Sequence, residues 1–438
     1  MSFVSIILAI VILGILIIIH EFGHYLLARK NGITVTEFAI GFGPKIVGHK
    51  MKNGTEFAWR AIPFGGSCRM LGMFEDEEEG TDNESSYDSK SVWARISVTL
   101  AGPFFNFLLA FVLAVIVIGT VGYDPAVVTY VQEGSPIEEA GISVGDTIKS
   151  YNGSAITFGK EIYLQNYVNP ITSDSKAIDI TYIHEGEEHT VSVTPRRYDY
   201  YAIGLSYYVD GGPARVAESD EGQPCYEAGI REDDIIKSVN GTEISEGEDL
   251  ENYFNEHEIT EEPLEIEFIR HESVYSTTVY PVAASAYKLG FSYNTANVKA
   301  SVWETIKYSF AEIGYEIKSV FMSLGVLFSS RGSLDMLSGP VGIVEVIGET
   351  YDYSVSSGFL YTLMNMLSIM LMLSANLGIV NLFPIPGLDG GRFILLLVEA
   401  VTRKPVPKKF EGVVTLIGAG LLFILMMVVL VNDITKFF

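Results

Sequence analysis

Cysteine and positive charge are both scarce in this chain. Its 438 residues include two cysteines, Cys68 and Cys225. Two are too few for a disulfide framework, and so far apart in sequence they have neither zinc-finger nor thiol-redox spacing. Lys and Arg number 29 against 54 Asp and Glu, a net charge of −25. A chain so short of basic residues has no basic face for nucleic acid, so nucleic acid is excluded as a partner. The first apolar run has no basic region before it and no small-residue cleavage site after it. It therefore reads as a retained segment and not as a signal peptide.

What is present is segregated. Hydrophobic residues make up 48% of the chain and charged residues 19%, with a mean hydropathy of +0.28. Apolar runs occupy the N-terminus (3–19, helical to Arg29), about 97–121, about 358–383 and about 411–431. Each is long enough as a helix for a hydrocarbon core of roughly 30 Å, so four membrane spans are expected. The loop after the first span carries Arg29, Lys30, Lys45, Lys50, Lys52, Arg60 and Arg69. The loop between the third and fourth carries Arg392, Arg403, Lys404, Lys408 and Lys409. Short-loop Lys and Arg mark the cytoplasmic side, so both loops, together with the acidic stretch 75–84, are expected inside. The block from Asp124 to Lys299 holds 32 acidic and 11 basic residues and reads as a solvated region on the outer side. Cys68 and Cys225 then lie on opposite sides, and no bridge between them is expected. Residues 303–328 alternate Glu304, Lys307, Glu312, Glu316 and Lys318 with Ile306, Phe310, Ile313 and Ile317. That pattern predicts an amphipathic helix suited to an interface.

The polar block contains a duplication. Gly134–Ile156 (GSPIEEAGISVGDTIKSYNGSAI) and Gly222–Ile244 (GQPCYEAGIREDDIIKSVNGTEI) share G-x-P-x-x-x-A-G-I-x-x-x-D-x-I-x-x-x-N-G at an offset of 88 residues. A period that long indicates two copies of a small domain rather than a solenoid. Each copy predicts a short helix ending at Ala-Gly and a strand leading to an Asn-Gly hairpin turn, with alternating strands later at 177–193 and 264–281. Both copies resemble circularly permuted PDZ domains, which bind extended peptides or chain termini at a strand edge. The same copies also fit plain spacers or size filters.

The chemistry is concentrated in two places. His20-Glu21-Phe22-Gly23-His24 is an H-E-x-x-H motif. On a helix, residues four apart share a face, so both imidazoles can reach one Zn²⁺ with Glu21 beside it as a general base. These groups end an uninterrupted apolar run, where unpaired polar side chains are costly, which strengthens the reading. A catalytic zinc needs a third protein ligand. None follows within two turns except Glu37, beyond a glycine. A better candidate is Asp389 in Asn381–Gly391 (NLFPIPGLDGG), where prolines and glycines break the third span just where an acidic residue appears. Irregular backbone at membrane depth is tolerated only inside protein or against a water-filled cavity.

These two motifs together are similar to the signature pair of the site-2 protease family of intramembrane zinc metalloproteases. The layout resembles the bacterial regulator-of-sigma-E-protease branch, with tandem PDZ domains between spans two and three. Gly41–Lys45, Ala61–Gly66, Ala101–Asn106 and Ser338–Gly342 carry further likeness. Ser67-Cys68 stands where an aromatic and a β-branched residue are common, and Arg392 where His is common. The resemblance implies His20, His24 and Asp389 as zinc ligands, Glu21 as catalytic base and Asn381 as a contact to the substrate backbone. It also implies that 41–66, a hairpin around Lys52-Asn53-Gly54, is a membrane-reentrant β-structure that adds an unwound substrate as a strand.

The fold expected is thus a polytopic α-helical membrane protein with two inserted PDZ-like α+β domains and a membrane-associated β-hairpin. Its parts are a membrane core over 1–122, PDZ-like domains over 124–200 and 201–286, an interfacial helix region over 300–357 and a second membrane part over 358–438. The function expected is cleavage, in a bacterial inner membrane, of single-span proteins such as a pre-cleaved anti-sigma factor. The PDZ-like domains face outward, with peptides as ligands, and the metal lies toward the cytoplasm. Processing of signal-peptide remnants or peptide precursors fits equally. A catalytically silent PDZ scaffold fits less well, because it has no use for Glu21 or the three ligands.

Overall fold

The computed structural model describes residues 3–73, 84–209, 212–294, 296–333, 336–355 and 357–435. The acidic stretch 75–84 lies outside them except for Glu84. The chain forms two compact units, one of Met1–Ala126, Thr157–Val168 and Asn294–Phe438, the other of Val127–Ile156 and Asn169–Tyr293.

Helix α1 (Phe3–Lys30) leads into strands β1 (Val35–Lys50) and β2 (Glu56–Met70), and α2 (Val92–Val121) follows. The expected hairpin forms, with its turn at 51–55, and it is longer than the 41–66 expected. It is also bent. Phe38–Ile40 pairs with Cys68, Ser67 and Gly66 and again with Phe57, Ala58 and Trp59, while Lys45–Lys50 pairs with Arg60 back to Glu56. Among the described residues no strand pairs with the other edge of 66–70.

The polar block begins with β3 (Val128–Val131), α3 (Pro136–Glu139), β4 (Thr147–Tyr151), β5 (Ser154–Ala155) and α4 (Gly159–Val168). Strands β6 (Ile178–His184), β7 (Glu187–Val193), β8 (Arg196–Ala202) and β9 (Ser206–Tyr207) complete the first copy. The second copy is β10 (Val216–Glu218), α5 (Pro224–Glu227), β11 (Ile235–Val239), β12 (Thr242–Glu243), α6 (Gly247–Glu256) and β13 (Leu264–Arg270). It closes with β14 (Ser273–Val279), β15 (Val282–Lys288) and β16 (Phe291–Tyr293). The copies build matching antiparallel sheets in the orders β5-β4-β6-β7 and β12-β11-β13-β14. Asn152-Gly153 and Asn240-Gly241 turn each hairpin with φ of 51° and 77°, and 50° and 79°, as a type I′ turn requires. The copies also exchange strands. The last strand, β16, pairs with β3 at the start of the first copy, and β8 pairs with β15. Phe291–Tyr293 therefore falls outside both ranges expected for the domains while pairing within the first.

Among the described residues five α-helices follow: α7 (Val302–Leu327), α8 (Pro340–Val355), α9 (Phe359–Asn381), α10 (Asp389–Thr402) and α11 (Lys408–Thr435). Among the described residues α1, α2, α9 and α11 are the helices long and apolar enough to cross a membrane, matching the four expected. Ala9, Ile12 and Leu16 of α1 pack with Ala110, Leu113 and Ala114 of α2 and Met366, Ile369 and Met370 of α9. Helix α7 starts at a Ser301–Glu304 capping box. Its polar stripe is the buried one. Thr305, Ser309, Glu312 and Glu316 are buried, while Trp303, Phe310 and Phe321 are exposed. A helix whose polar side faces its neighbours α2 and α9 and whose apolar side faces out is arranged for an apolar solvent, the inverse of a helix in water.

Candidate metal centre

His20 and His24 lie one turn apart on α1, so their imidazoles share a face. Asp389 arrives from the other end of the sequence. Helix α9 stops at Asn381, the chain turns through 382–388, and Asp389 opens α10. The turn is tight: a Cβ on Gly390 would stand 2.2 Å from the Leu382 carbonyl oxygen, and one on Gly391 2.4 Å from that of Ile385. Only glycine fits at both places, and the fold of this loop sets where the carboxylate points.

The three side chains meet. Asp389 Oδ2 is 3.2 Å from His20 Nε2 and 3.3 Å from His24 Nε2, and the two Nε2 atoms are 3.3 Å apart. Zinc held by nitrogen and oxygen at about 2.0–2.1 Å in a tetrahedron places its ligand atoms roughly 3.3–3.4 Å from one another. The observed triangle has those edges. Oδ2 is buried and makes no ordinary hydrogen bond, as an atom reserved for a metal would be.

The outer contacts set the tautomers. His24 Nδ1–H donates to the Val98 carbonyl oxygen at 2.8 Å, which leaves the Nε2 lone pair facing Asp389. The Asn106 side-chain amide lies 3.0 Å from His20 Nδ1, and its Oδ1 has no other partner. With Oδ1 turned toward Nδ1–H, His20 also presents a bare Nε2. Gly102 fills the space between: a Cβ there would lie 2.4 Å from His24 Nε2 and 2.7 Å from His20 Cε1. Asn106 and Gly102 belong to the Ala101–Asn106 segment, where the sequence shows a likeness but no role.

A cavity of about 380 Å³ opens on this group. Glu21 and Asn381 line it, as does the hairpin run Gly65–Cys68. Gly66 lets the strand lie against α1, since a Cβ would come within 2.9 Å of Glu21 Cγ. The Glu21 carboxylate accepts a hydrogen bond from the Cys68 backbone. Burial, and then the Glu21 charge, push the Cys68 thiol above its ordinary range, so it stays protonated. Arg392 also lines the cavity, and its Nε donates to Glu411 at 3.1 Å. Glu37, the other carboxylate near the motif in sequence, is taken up by Arg60 at 2.6 Å. Both cysteines are free.

The sequence pattern of Peptidase family M50, the site-2 proteases, matches residues 8–425. This chain belongs to that family. The M50 relatives align end to end. The zinc metalloprotease RasP of Bacillus licheniformis is 32% identical over 445 residues, covering 99% of both chains. The regulator of sigma-W protease RasP of Bacillus subtilis is 30% identical over 443 residues and all of both chains. The probable protease eep of Enterococcus faecalis is 29% identical over 468 residues and 99% of both chains. This M50 chain is accordingly an intramembrane metalloprotease.

Proposed function

We propose that this enzyme hydrolyses peptide bonds within the membrane-spanning segment of single-span proteins, with zinc held by His20, His24 and Asp389. The triangle of Nε2, Nε2 and Oδ2 at 3.2–3.3 Å carries the proposal. Zinc bound there supplies Lewis acidity and makes water a nucleophile at neutral pH. Glu21, adjacent to His20 and lining the same cavity, takes the proton of the attacking water and passes it to the leaving amine. Asn381 hydrogen-bonds the substrate backbone beside the scissile bond. A helical segment has its peptide groups closed in its own hydrogen bonds and must unwind to be cut. The open edge at Gly66–Met70 offers backbone partners to the unwound stretch by strand addition.

Four helices span the membrane in this reading, and the short loops rich in Lys and Arg put the metal toward the cytoplasm. The duplicated units are PDZ-like domains on the outer face that screen what reaches α9. Their matching sheets and Asn-Gly turns support this. The name of the Bacillus subtilis relative favours a pre-cleaved anti-sigma factor as substrate. The test is cleavage of purified single-span substrates by the enzyme in bilayers, with product masses locating the cut. The expected cut lies inside the apolar segment, disappears with a zinc chelator and returns with zinc. A cut outside that segment, or one indifferent to chelation, overturns the proposal.

A further inference from the structure

The buried face of α7 carries a carboxyl group that no partner among the described residues reaches. Glu312 and Glu316, four residues apart, lie on the same side of that helix, where like charges repel. Glu312 has a partner: Lys160 Nζ, from α4, donates to its two oxygens at 2.6 and 2.8 Å. The neighbouring Glu161 is closed by Lys318 at 2.9 Å and by the Thr157 and Phe158 amides. Asp124 accepts from the Lys160 backbone N–H at 2.9 Å. Glu316 is only 5% exposed, and among the described residues no hydrogen bond or ion pair reaches its carboxylate. It points into a cavity of about 470 Å³ walled by α2, α7 and α9, which Asp124, Asn365 and Ser368 also line. Three carboxylates there face one ammonium, that of Lys160.

We propose that this cavity is a substrate subsite for a cationic side chain, a lysine or arginine of the membrane protein being cut, with Glu316 as its counter-ion. One unpartnered carboxylate beside amide and hydroxyl groups suits an ammonium or guanidinium. A hard divalent ion needs six or more oxygens. Burial, and then the Glu312 charge, raise Glu316 to about 7 despite the opposing pull of Lys160, so an arriving cation favours its ionised form. The proposal rests on the protease reading and adds a distance to it. Asn365 at the cavity and Asn381 at the metal site are sixteen residues apart on α9, about 24 Å at helical rise. A second cavity, lined by Glu316, Met372 and Asn376, lies along α9 between the two. A substrate lying along α9, unwound for a few residues at the cut and helical beyond, reaches Glu316 roughly 11–16 residues from the scissile bond.

The test is a series of single-span substrates with Lys or Gln at each position from 9 to 18 residues along this direction, cleaved by the full chain in bilayers. Wild type is expected to cut the Lys form at one or two positions at least fivefold better than the Gln form, read as kcat/KM. Glu316→Gln should lose that preference and cut Lys and Gln forms alike, with helical content and melting temperature near wild type showing that it folds. Glu316→Lys should instead prefer Glu at the same position. Equal cutting of Lys and Gln forms throughout, or a preference that survives in Glu316→Gln, overturns the subsite. Wild type cutting no member of the series, Gln forms included, overturns the protease reading and the subsite with it.

Discussion

Glu21→Gln should lower the cleavage rate by two to four orders of magnitude while leaving zinc content at one per chain. Glu21 is not part of the His20–His24–Asp389 triangle, so its charge is not needed to gather the ligands. It lines the same cavity, held by the Cys68 backbone. The amide of Gln keeps the size of the side chain and can still accept that hydrogen bond, but it cannot take a proton from water. The loss expected from removing a positioned general base is about 3–5 kcal/mol in the barrier. Metal analysis and rates on one purified sample separate the possible causes. Unchanged cleavage would remove Glu21 from the chemistry, and lost zinc would make it a ligand.

Gly102→Ala should abolish metal binding without unfolding the chain. A methyl at this position would lie 2.4 Å from His24 Nε2, the atom that faces the metal, and 2.7 Å from His20 Cε1. Such separations are far inside van der Waals contact, so the imidazoles or α2 must move. The hydrogen bond from His24 to Val98, made to the same helix, resists that shift. Alanine is otherwise a better helix residue than glycine, so the helix itself should not suffer. Zinc stoichiometry and activity are expected to fall at least a hundredfold while helical content and melting temperature stay near wild type. Activity within threefold of wild type would show that the site has room the structure does not give it.

The helical part of the site was open to reading because its signals are local. The spacing of His20 and His24 and the apolar run before them place two imidazoles on one face. The duplication at 88 residues shows again in β4 and β11 and in α4 and α6, which lie 88 residues apart. Asp389 is different. A broken helix marks it as unusual, but only the turn of 382–388 and the start of α10, neither evident from periodicity, bring it to the histidines. Gly102 and Asn106 were illegible as site residues. Their roles come from the approach of α2 to α1, a contact between helices about 80 residues apart. The sign of α7 was also hidden. Charged and apolar residues alternate in a way that fits an interface, yet burial falls on Glu312 and Glu316, because α4 meets this face with Lys160 and Glu161, which pair with Glu312 and Lys318. The strand exchange between the repeats, β3 with β16, escaped for the same reason: nothing in either copy alone says which later strand closes it.

The most direct test of the metal centre is the zinc K-edge absorption spectrum of the purified chain, compared with that of Asp389→Ala. The arrangement of His20, His24 and Asp389 predicts one zinc per chain with only nitrogen and oxygen neighbours at about 2.0–2.1 Å. Two of these should be imidazoles, and Asp389→Ala should bind little or no zinc. A sulfur neighbour at about 2.3 Å, which Cys68 in the cavity wall would have to supply, contradicts the account. So does an Asp389→Ala chain that keeps full zinc with an unchanged first shell.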